Sequence, residues 1–406
     1  MFPTDPDVLV VGAGAAGIAA ARALRDRGLS CVVLEGGARI GGRAFTCRTL
    51  GAPFDHGATW LHAAGRNPLT PFAGEAVDHD TLRERHFWLG DRWADQAECA
   101  AYREAEARFH AALAAAAAGP DRAVAEVIPR GGFWDETVAH GQGAQIQGME
   151  VEHLSLHDVL ASGLEGPNLL PREGVGSILL RLAEGLPIRL LARVERIRWG
   201  GPGVVAEGAF GCLAARAAIV TVSTGVLAAG GIRFDPPLPP ALAQAIHDLP
   251  MALLNKFAFR CADRLGIPPF HSVRCRVSPA RPRPMSFVMW PFGADHLFGF
   301  VGGSLAVELS REGPAALLAA AAEELRSIFG DPPLGQGLAT DWGRDPLFLG
   351  SYSQARVGAA GARAVLGQPL AGGRLLFAGE ATHTTMAGTI GGAFAAGQAA
   401  AALVRP

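Results

Sequence analysis

An α/β fold, with an N-terminal βαβ unit and a second, α+β portion built on an antiparallel sheet, is predicted by three features of this 406-residue chain. A strand, a glycine turn, a helix and a second strand follow one another between Val8 and Glu35. Two later runs, Ala192 to Trp199 and Ala217 to Ser223, read as further strands that return the chain to that unit. Three more runs, Ala252 to Arg260, Met285 to Trp290 and Leu297 to Gly302, have strand length and turn-rich joins, the pattern of antiparallel neighbours. The length suffices for two or three domains with sizeable cores.

The first unit carries the most specific signal. Val8-Leu-Val-Val11 is a short apolar strand that stops at Gly12-Ala-Gly14-Ala-Ala-Gly17, and Ile18 to Arg27 reads as an Ala-rich helix closed by Gly28. Cys31-Val-Val-Leu34 is the second strand and ends at Glu35. In that context Gly12 permits the tight turn, Gly14 lets the backbone approach a pyrophosphate, and Gly17 lets the helix pack against the strand. The helix N-terminus offers free N–H groups to the phosphates, and Glu35 is placed to accept hydrogen bonds from a ribose.

Arg39-Ile-Gly-Gly-Arg43 resembles the second glycine pair of flavoproteins with the glutathione-reductase-like fold, and especially of the flavin amine oxidase family. The likeness shifts the expected cofactor from NAD to FAD and the fold to an FAD-binding Rossmann-like domain. It implies that Gly12, Gly14, Ala15, Ala16, Gly17, Glu35, Gly42 and Arg43 bind that cofactor. One departure is that Gly37 stands where many members have an arginine.

Composition narrows the class. The chain has 36 basic and 38 acidic residues and neither a basic stripe nor a like-charge block, so no nucleic-acid partner is expected. Six scattered cysteines without metal-ligand spacing suit reduced thiols in the cytoplasm. The first strand begins within a few residues of Met1, so no signal peptide is expected. Ala387 to Val404 is Gly/Ala-rich and interrupted by Gln398, which reads as a buried helix and not a membrane span. Lys256 is the single lysine, against 35 arginines, so a chemical reason is expected for it.

Along the chain, Asp55 to Pro68 is loop-like yet holds Trp60, His56 and His62. It resembles the polyamine-oxidase segment that passes along the flavin, which implies that Thr59 and Trp60 lie against the ring and that His62 faces substrate. From about Phe72 to Pro129 the composition is helical and charged, with Gln96 to Ala118 the longest helix. His79, Asp80, His86 and Glu98 there are read as a solvated face, with a role in lining a tunnel as the alternative. Gly131 to Gly148 reads as an interdomain loop. A helix from Ser177 to Ala183 follows, and Val194-Glu-Arg-Ile197 matches the family's adenine-contacting sequence, which implies a backbone contact from Val194. Ile232 to Pro239 is a proline-rich linker, and Pro314 and Gly330 bracket a helix.

Leu254-Asn-Lys256-Phe resembles the family strand whose lysine reaches the flavin N5 through a water, where a cation offsets developing negative charge. Gly350-Ser-Tyr-Ser353 matches the segment that in monoamine oxidases holds a flavin-linked cysteine; Ser351 takes that place, so non-covalent FAD is expected. Tyr352 would form a substrate wall. Phe377-Ala-Gly-Glu380 and Gly388-Thr-Ile-Gly-Gly match the closing flavin motif, which implies that Glu380 contacts the ribityl and phosphate region and that Thr389 and Ile390 approach the ring. A small Thr389 in place of an aromatic favours the wider site of polyamine oxidases.

The resemblance thus implies an FAD-dependent amine oxidase of polyamine-oxidase type, oxidising a C–N bond to an imine with oxygen reduced to hydrogen peroxide. Lys256, Tyr352, His62 and Thr389 would be its catalytic group, a small-molecule amine and oxygen its partners, and no metal is expected. Residues 1–71, 150–235 and 335–406 would form the FAD domain, and 72–149 and 236–334 the substrate domain. An L-amino-acid oxidase, which needs an arginine aimed at a carboxylate, and an oxygen-independent dehydrogenase or desaturase remain alternatives on the same fold. A flavin-bearing regulatory protein is a third.

Overall fold

The computed structural model describes residues 5–405. Its centre is a five-stranded parallel sheet with Leu375–Phe377, Ala217–Val220, Val8–Val11, Cys31–Leu34 and Ile188–Arg189 side by side. The inner strands are buried along their whole length, as continuous apolar runs must be when both faces of a parallel sheet are covered. On one face lie the helices Ala15–Asp26 and Ile390–Leu403, whose alanines pack together with the sheet. They approach so closely that a Cβ on Gly397 would fall 2.0 Å from the Ala16 carbonyl oxygen. The stretch read as a buried helix in place of a membrane span is this second helix, and among the described residues no helix is long and apolar enough to cross a membrane. On the other face sits a small sheet of Gly211–Ala215, Val204–Gly208, Arg196–Arg198 and Arg233–Asp235. The supposed linker therefore contains a strand, which pairs parallel to Arg196–Arg198.

The second large sheet has six strands in the order Gly337–Ala339, Leu254–Arg260, His296–Gly302, Ser286–Val288, Ser272–Cys275 and Arg85–Trp88. It is antiparallel as expected, except that its last pair is parallel. The helices Gly303–Glu312 and Pro314–Phe329 cover one face, the latter bounded by Gly313 and Gly330.

Two stretches differ from their expected form. Arg85–Trp88 is a strand inside the region read as helical, because pairing with Ser272–Cys275 buries Phe87 against Tyr102 and Trp134. Gly131 to Gly148 is not a loop: it forms the helix Asp135–Gln142 and a wide π-type turn at Gly143–Gln147. Trp134, Val138 and Ala139 are buried there, so tertiary packing overrides the weak helical preference of a glycine-rich sequence.

Candidate active site

One cavity of about 670 Å³ runs from the glycine turn to the six-stranded sheet. Of the residues singled out for a site, all but Gly17 line it. Gly17 serves packing: a Cβ there would lie 1.9 Å from the Gly12 carbonyl oxygen. Gly14 is different, since the nearest protein atom to its Cβ position is 3.9 Å away, so the protein's own packing does not demand a glycine.

At this end the polar groups are locked together. Glu35 accepts hydrogen bonds from the Ala13 N–H and the Gly37 N–H, both at 2.7 Å, which fixes its carboxylate at the end of the second strand. The Gly37 contact is made by its backbone N–H, so the departure from arginine at this position costs Glu35 no hydrogen bond. Arg43 donates to the Ser351 carbonyl at 2.8 Å and to Glu380 at 3.0 Å. The Glu380 carboxylate also accepts from the Ser353 N–H and hydroxyl and from the Gly388 N–H. Behind Ser353, Arg363 forms a two-pronged pair with Asp158 at 2.6 and 2.7 Å, with side chains only 2 % and 4 % exposed. This buried pair joins segments far apart in sequence, and nothing local in the sequence marks it.

Lys256 stands at the junction of the cavity's two ends. Strand alternation turns it toward the cavity, where it is 3 % exposed. Its ammonium donates to the Asp55 carbonyl at 2.6 Å, the Gly57 carbonyl at 3.2 Å and the Thr59 hydroxyl. The Phe54, Phe298 and Phe300 rings surround it at 5.0–5.4 Å. Burial pulls its pKa down to about 7, with the Asp55 carboxylate opposing. Three oxygen acceptors match the three protons of the cation. Burial pushes the Asp55 carboxyl up, against the pull of Lys256 and of hydrogen bonds from Thr46 and the Val175 and Gly176 N–H groups. In the sequence Asp55 shows only as the start of a loop.

Beyond Lys256 the walls become aromatic. The Trp60 indole donates to His79 Nδ1 at 3.2 Å, so His79 carries its proton on Nε2 and gives it to the Phe270 carbonyl at 3.1 Å. Burial holds His79 near a pKa of about 4, which keeps it neutral. It lines the cavity and is not on a solvated face. Asp80 also lines the cavity, whereas His86 lines a separate small cleft and Glu98 forms a capping box with Asp95 at the start of the Gln96–Ala116 helix. His62 Nδ1 donates to Asn168 Oδ1 at 2.8 Å, and burial lowers its pKa. Asn67 fixes the same loop by donating to the His62 carbonyl.

Tyr352 donates its hydroxyl to the Ile146 carbonyl at 2.6 Å and presents its ring to the cavity. The Ser351 hydroxyl bridges the Leu254 N–H and carbonyl, so it is engaged by the lysine strand. Thr389 caps the Ile390–Leu403 helix, accepting from the Gly392 N–H and donating to the Met386 carbonyl. Its hydroxyl is thereby committed to the helix end.

The sequence profile described as flavin containing amine oxidoreductase matches residues 148–405, and an NAD(P)-binding Rossmann-like profile matches residues 10–75. The chain belongs to the flavin-containing amine oxidoreductase family. It is 29 % identical to lysine-specific histone demethylase 1 homolog 2 of Oryza sativa subsp. japonica, over 98 % of this chain but 58 % of that protein. It therefore spans little more than half of that relative. It is also 29 % identical to polyamine oxidase 4 of the same plant, covering 98 % of this chain and 88 % of that one. A cyclohexylamine oxidase from Brevibacterium oxydans IH-35A shares the fold with a TM-score of 0.78 at 22 % identity, over 98 % of both chains. A redesigned putrescine oxidase does so with a TM-score of 0.79 at 18 % identity, over 98 % of this chain and 99 % of that one.

FAD is the cofactor of this family member, and the residues fit it. The open space at Gly14, at the N-terminus of the Ala15–Asp26 helix, admits a pyrophosphate where a side chain would otherwise be tolerated. Glu35 is held by backbone donors at the end of the strand, the position for a ribose.

Proposed function

We propose that this protein is an amine oxidase of polyamine-oxidase type that converts the C–N bond of a primary or secondary amine to an imine, with oxygen as the terminal acceptor. Non-covalently held FAD supplies the two-electron oxidation and the delivery of electrons to oxygen as hydrogen peroxide. Gly12, Gly14, Ala15 and Ala16 would hold the pyrophosphate, with Gly17 setting the helix beside them, Glu35 would hold the ribose, and Val194 would lie at the adenine. Gly42, Arg43 and Glu380 would hold the middle of the cofactor, and Thr59, Trp60, Thr389 and Ile390 the ring. The FAD domain would comprise residues 1–71, 150–235 and 335–406, which between them supply every strand of the parallel sheet. The substrate domain would comprise 72–149 and 236–334.

The observation that carries this reading is the setting of Lys256. It is the chain's sole lysine, and it is desolvated and held by three oxygens where the dinucleotide end meets the aromatic chamber. A cation fixed there stabilises negative charge developing beside it without reorganisation. Trp60, Tyr352 and Phe300 exclude water and orient the amine, and neutral His62 and His79 place no competing cation next to it. A substrate entering as the neutral amine needs no general base. Six free cysteines, three of them buried, support a cytoplasmic location.

The test is to mix the yellow holoprotein anaerobically with monoamines, diamines, polyamines and L-amino acids and then admit air. Bleaching by amines, recolouring in air and peroxide formation are expected; failure of every amine to bleach the flavin would remove the proposal. Acid precipitation should release all the colour, and a yellow pellet would contradict non-covalent binding at Ser351.

A further inference from the structure

We infer that the far end of the cavity recognises a carboxylate carried on the chain of the amine substrate, with Arg274 and Ser272 as its specificity-determining residues. The inference rests on the proposed amine oxidation but departs from a polyamine as the substrate, since it names a carboxylate as the second functional group.

The six-stranded sheet sets the geometry. Lys256 is paired across strands with Phe300, Phe300 with Ser286, and Ser286 with Arg274. Cross-strand partners share a face, and all four line the cavity. Three interstrand spacings of about 4.8 Å put the Arg274 main chain about 14 Å from that of Lys256. A substrate oxidised near Lys256 therefore meets Arg274 with a part of its chain several carbons removed. An α-amino acid, whose carboxylate sits on the carbon bearing the amine, does not make that span.

Charge and hydrogen bonding give the chemistry. Arg83 pairs with Asp80 at 2.9 Å and Arg85 with Glu106 at 2.6 Å. Arg274 is the third guanidinium of this cluster and has no carboxylate partner among the described residues; its NH1 donates only to the Tyr102 hydroxyl, at 3.3 Å. Its Nε is buried without a partner, and so is the hydroxyl of Ser272, a residue 6 % exposed. The two stand two positions apart on one strand, hence on the same face. Orphaned donors of this kind are rare and costly, and a small turn of either side chain toward a carboxylate in the cavity would complete them. The carboxylates that line the cavity, by contrast, are all engaged: Glu35 by backbone donors, Glu380 by Arg43, Ser353 and Gly388, and Asp80 by Arg83 and Asn168. A second ammonium finds no free acid here, whereas a carboxylate finds a guanidinium and a hydroxyl.

The experiment uses the FAD-loaded protein and four eight-carbon probes: octylamine, 1,8-diaminooctane, 8-aminooctanoate and octanoate. Equilibrium binding of octanoate is measured by calorimetry, and flavin bleaching is measured with the three amines. Bleaching by 8-aminooctanoate should require about tenfold lower concentration than by octylamine. Arg274→Met should weaken octanoate and 8-aminooctanoate by about 10- to 100-fold while leaving octylamine and the flavin content unchanged. Arg274→Lys should restore part of the loss, since it keeps the charge without the fork, and Ser272→Ala should show a smaller loss with the arginine intact. Preference for 1,8-diaminooctane, or octanoate binding that is unchanged in Arg274→Met and Ser272→Ala, would overturn the inference. Loss of all three amines alike in Arg274→Lys would do the same. Should no amine bleach the flavin while octanoate still binds in an Arg274-dependent way, the oxidation reading falls and the carboxylate site stands.

Discussion

The two ends of the cavity are built on opposite principles. At the glycine-turn end Glu35, Arg43, Glu380, Arg363 and Asp158 form a set in which each charge already has protein partners. At the sheet end Arg274 Nε and Ser272 Oγ are buried with none. The two ends therefore draw their energy from different sources. A satisfied network holds its geometry before any ligand arrives, whereas unpaired buried donors leave recognition to whatever completes them. Lys256 lies between the two, fully hydrogen-bonded yet with its pKa drawn down to about 7.

The comparison breaks most visibly at the Asp158–Arg363 pair. Asp158→Asn leaves the Arg363 charge buried without its partner and should cost about 3–5 kcal/mol of stability, read as a fall in melting temperature with a parallel loss of bound FAD. Full stability would show the network to be dispensable. Lys256→Met should next lower oxygen-dependent turnover by about 10²- to 10³-fold with FAD content retained.

Lys256 also makes a pH prediction. Its folded value of about 7 lies below the ordinary 10.5, so between these values the unfolded chain binds the extra proton. The destabilisation is fully present below about pH 7 and fades as pH rises toward 10.5. Wild-type stability therefore gains with pH across that window relative to Lys256→Met, as urea unfolding at a series of pH values would register. Parallel pH curves for the two proteins would contradict the assignment.

Gly14→Ala sharpens the contrast by separating ligand room from folding. Gly14 has φ −80°, which alanine adopts, and an open Cβ position, so the apoprotein should lose little stability. FAD affinity should fall by about 1–3 kcal/mol, as the phosphate can no longer reach the backbone donors. Equal losses in both would assign Gly14 to packing. The smallest effect is expected at Thr389→Ala, about 1 kcal/mol of stability from the lost helix cap, measured by thermal unfolding and recovered in Thr389→Ser.

Legibility in the sequence follows the same division. The strand–turn–helix–strand unit was readable because its determinants are local: apolar runs of strand length, glycines at fixed offsets and an acid at the strand end. Lys256 was readable for another reason, being one lysine in a chain that otherwise uses arginine. Arg274 was invisible, since nothing adjacent to it distinguishes it from the other arginines. The charged neighbours of His79 in sequence point to a solvated face, yet Trp60 and Phe270 enclose it.

Local sequence, then, specified the strand–turn–helix–strand unit and its dinucleotide-binding turn, because backbone conformation and short-range hydrogen bonding depend on neighbours a few positions apart; the flavin and the residues expected around its ring rest on the resemblance to a family. Tertiary structure alone decided that Arg85–Trp88 is a strand, that Gly131 to Gly148 is helical, that Asp158 meets Arg363, and that Arg274 shares a row with Lys256. Each of these depends on pairing or burial between segments distant in sequence. Their free energy comes from removing surface and charge from water together, and that term exists only once the chain has closed on itself.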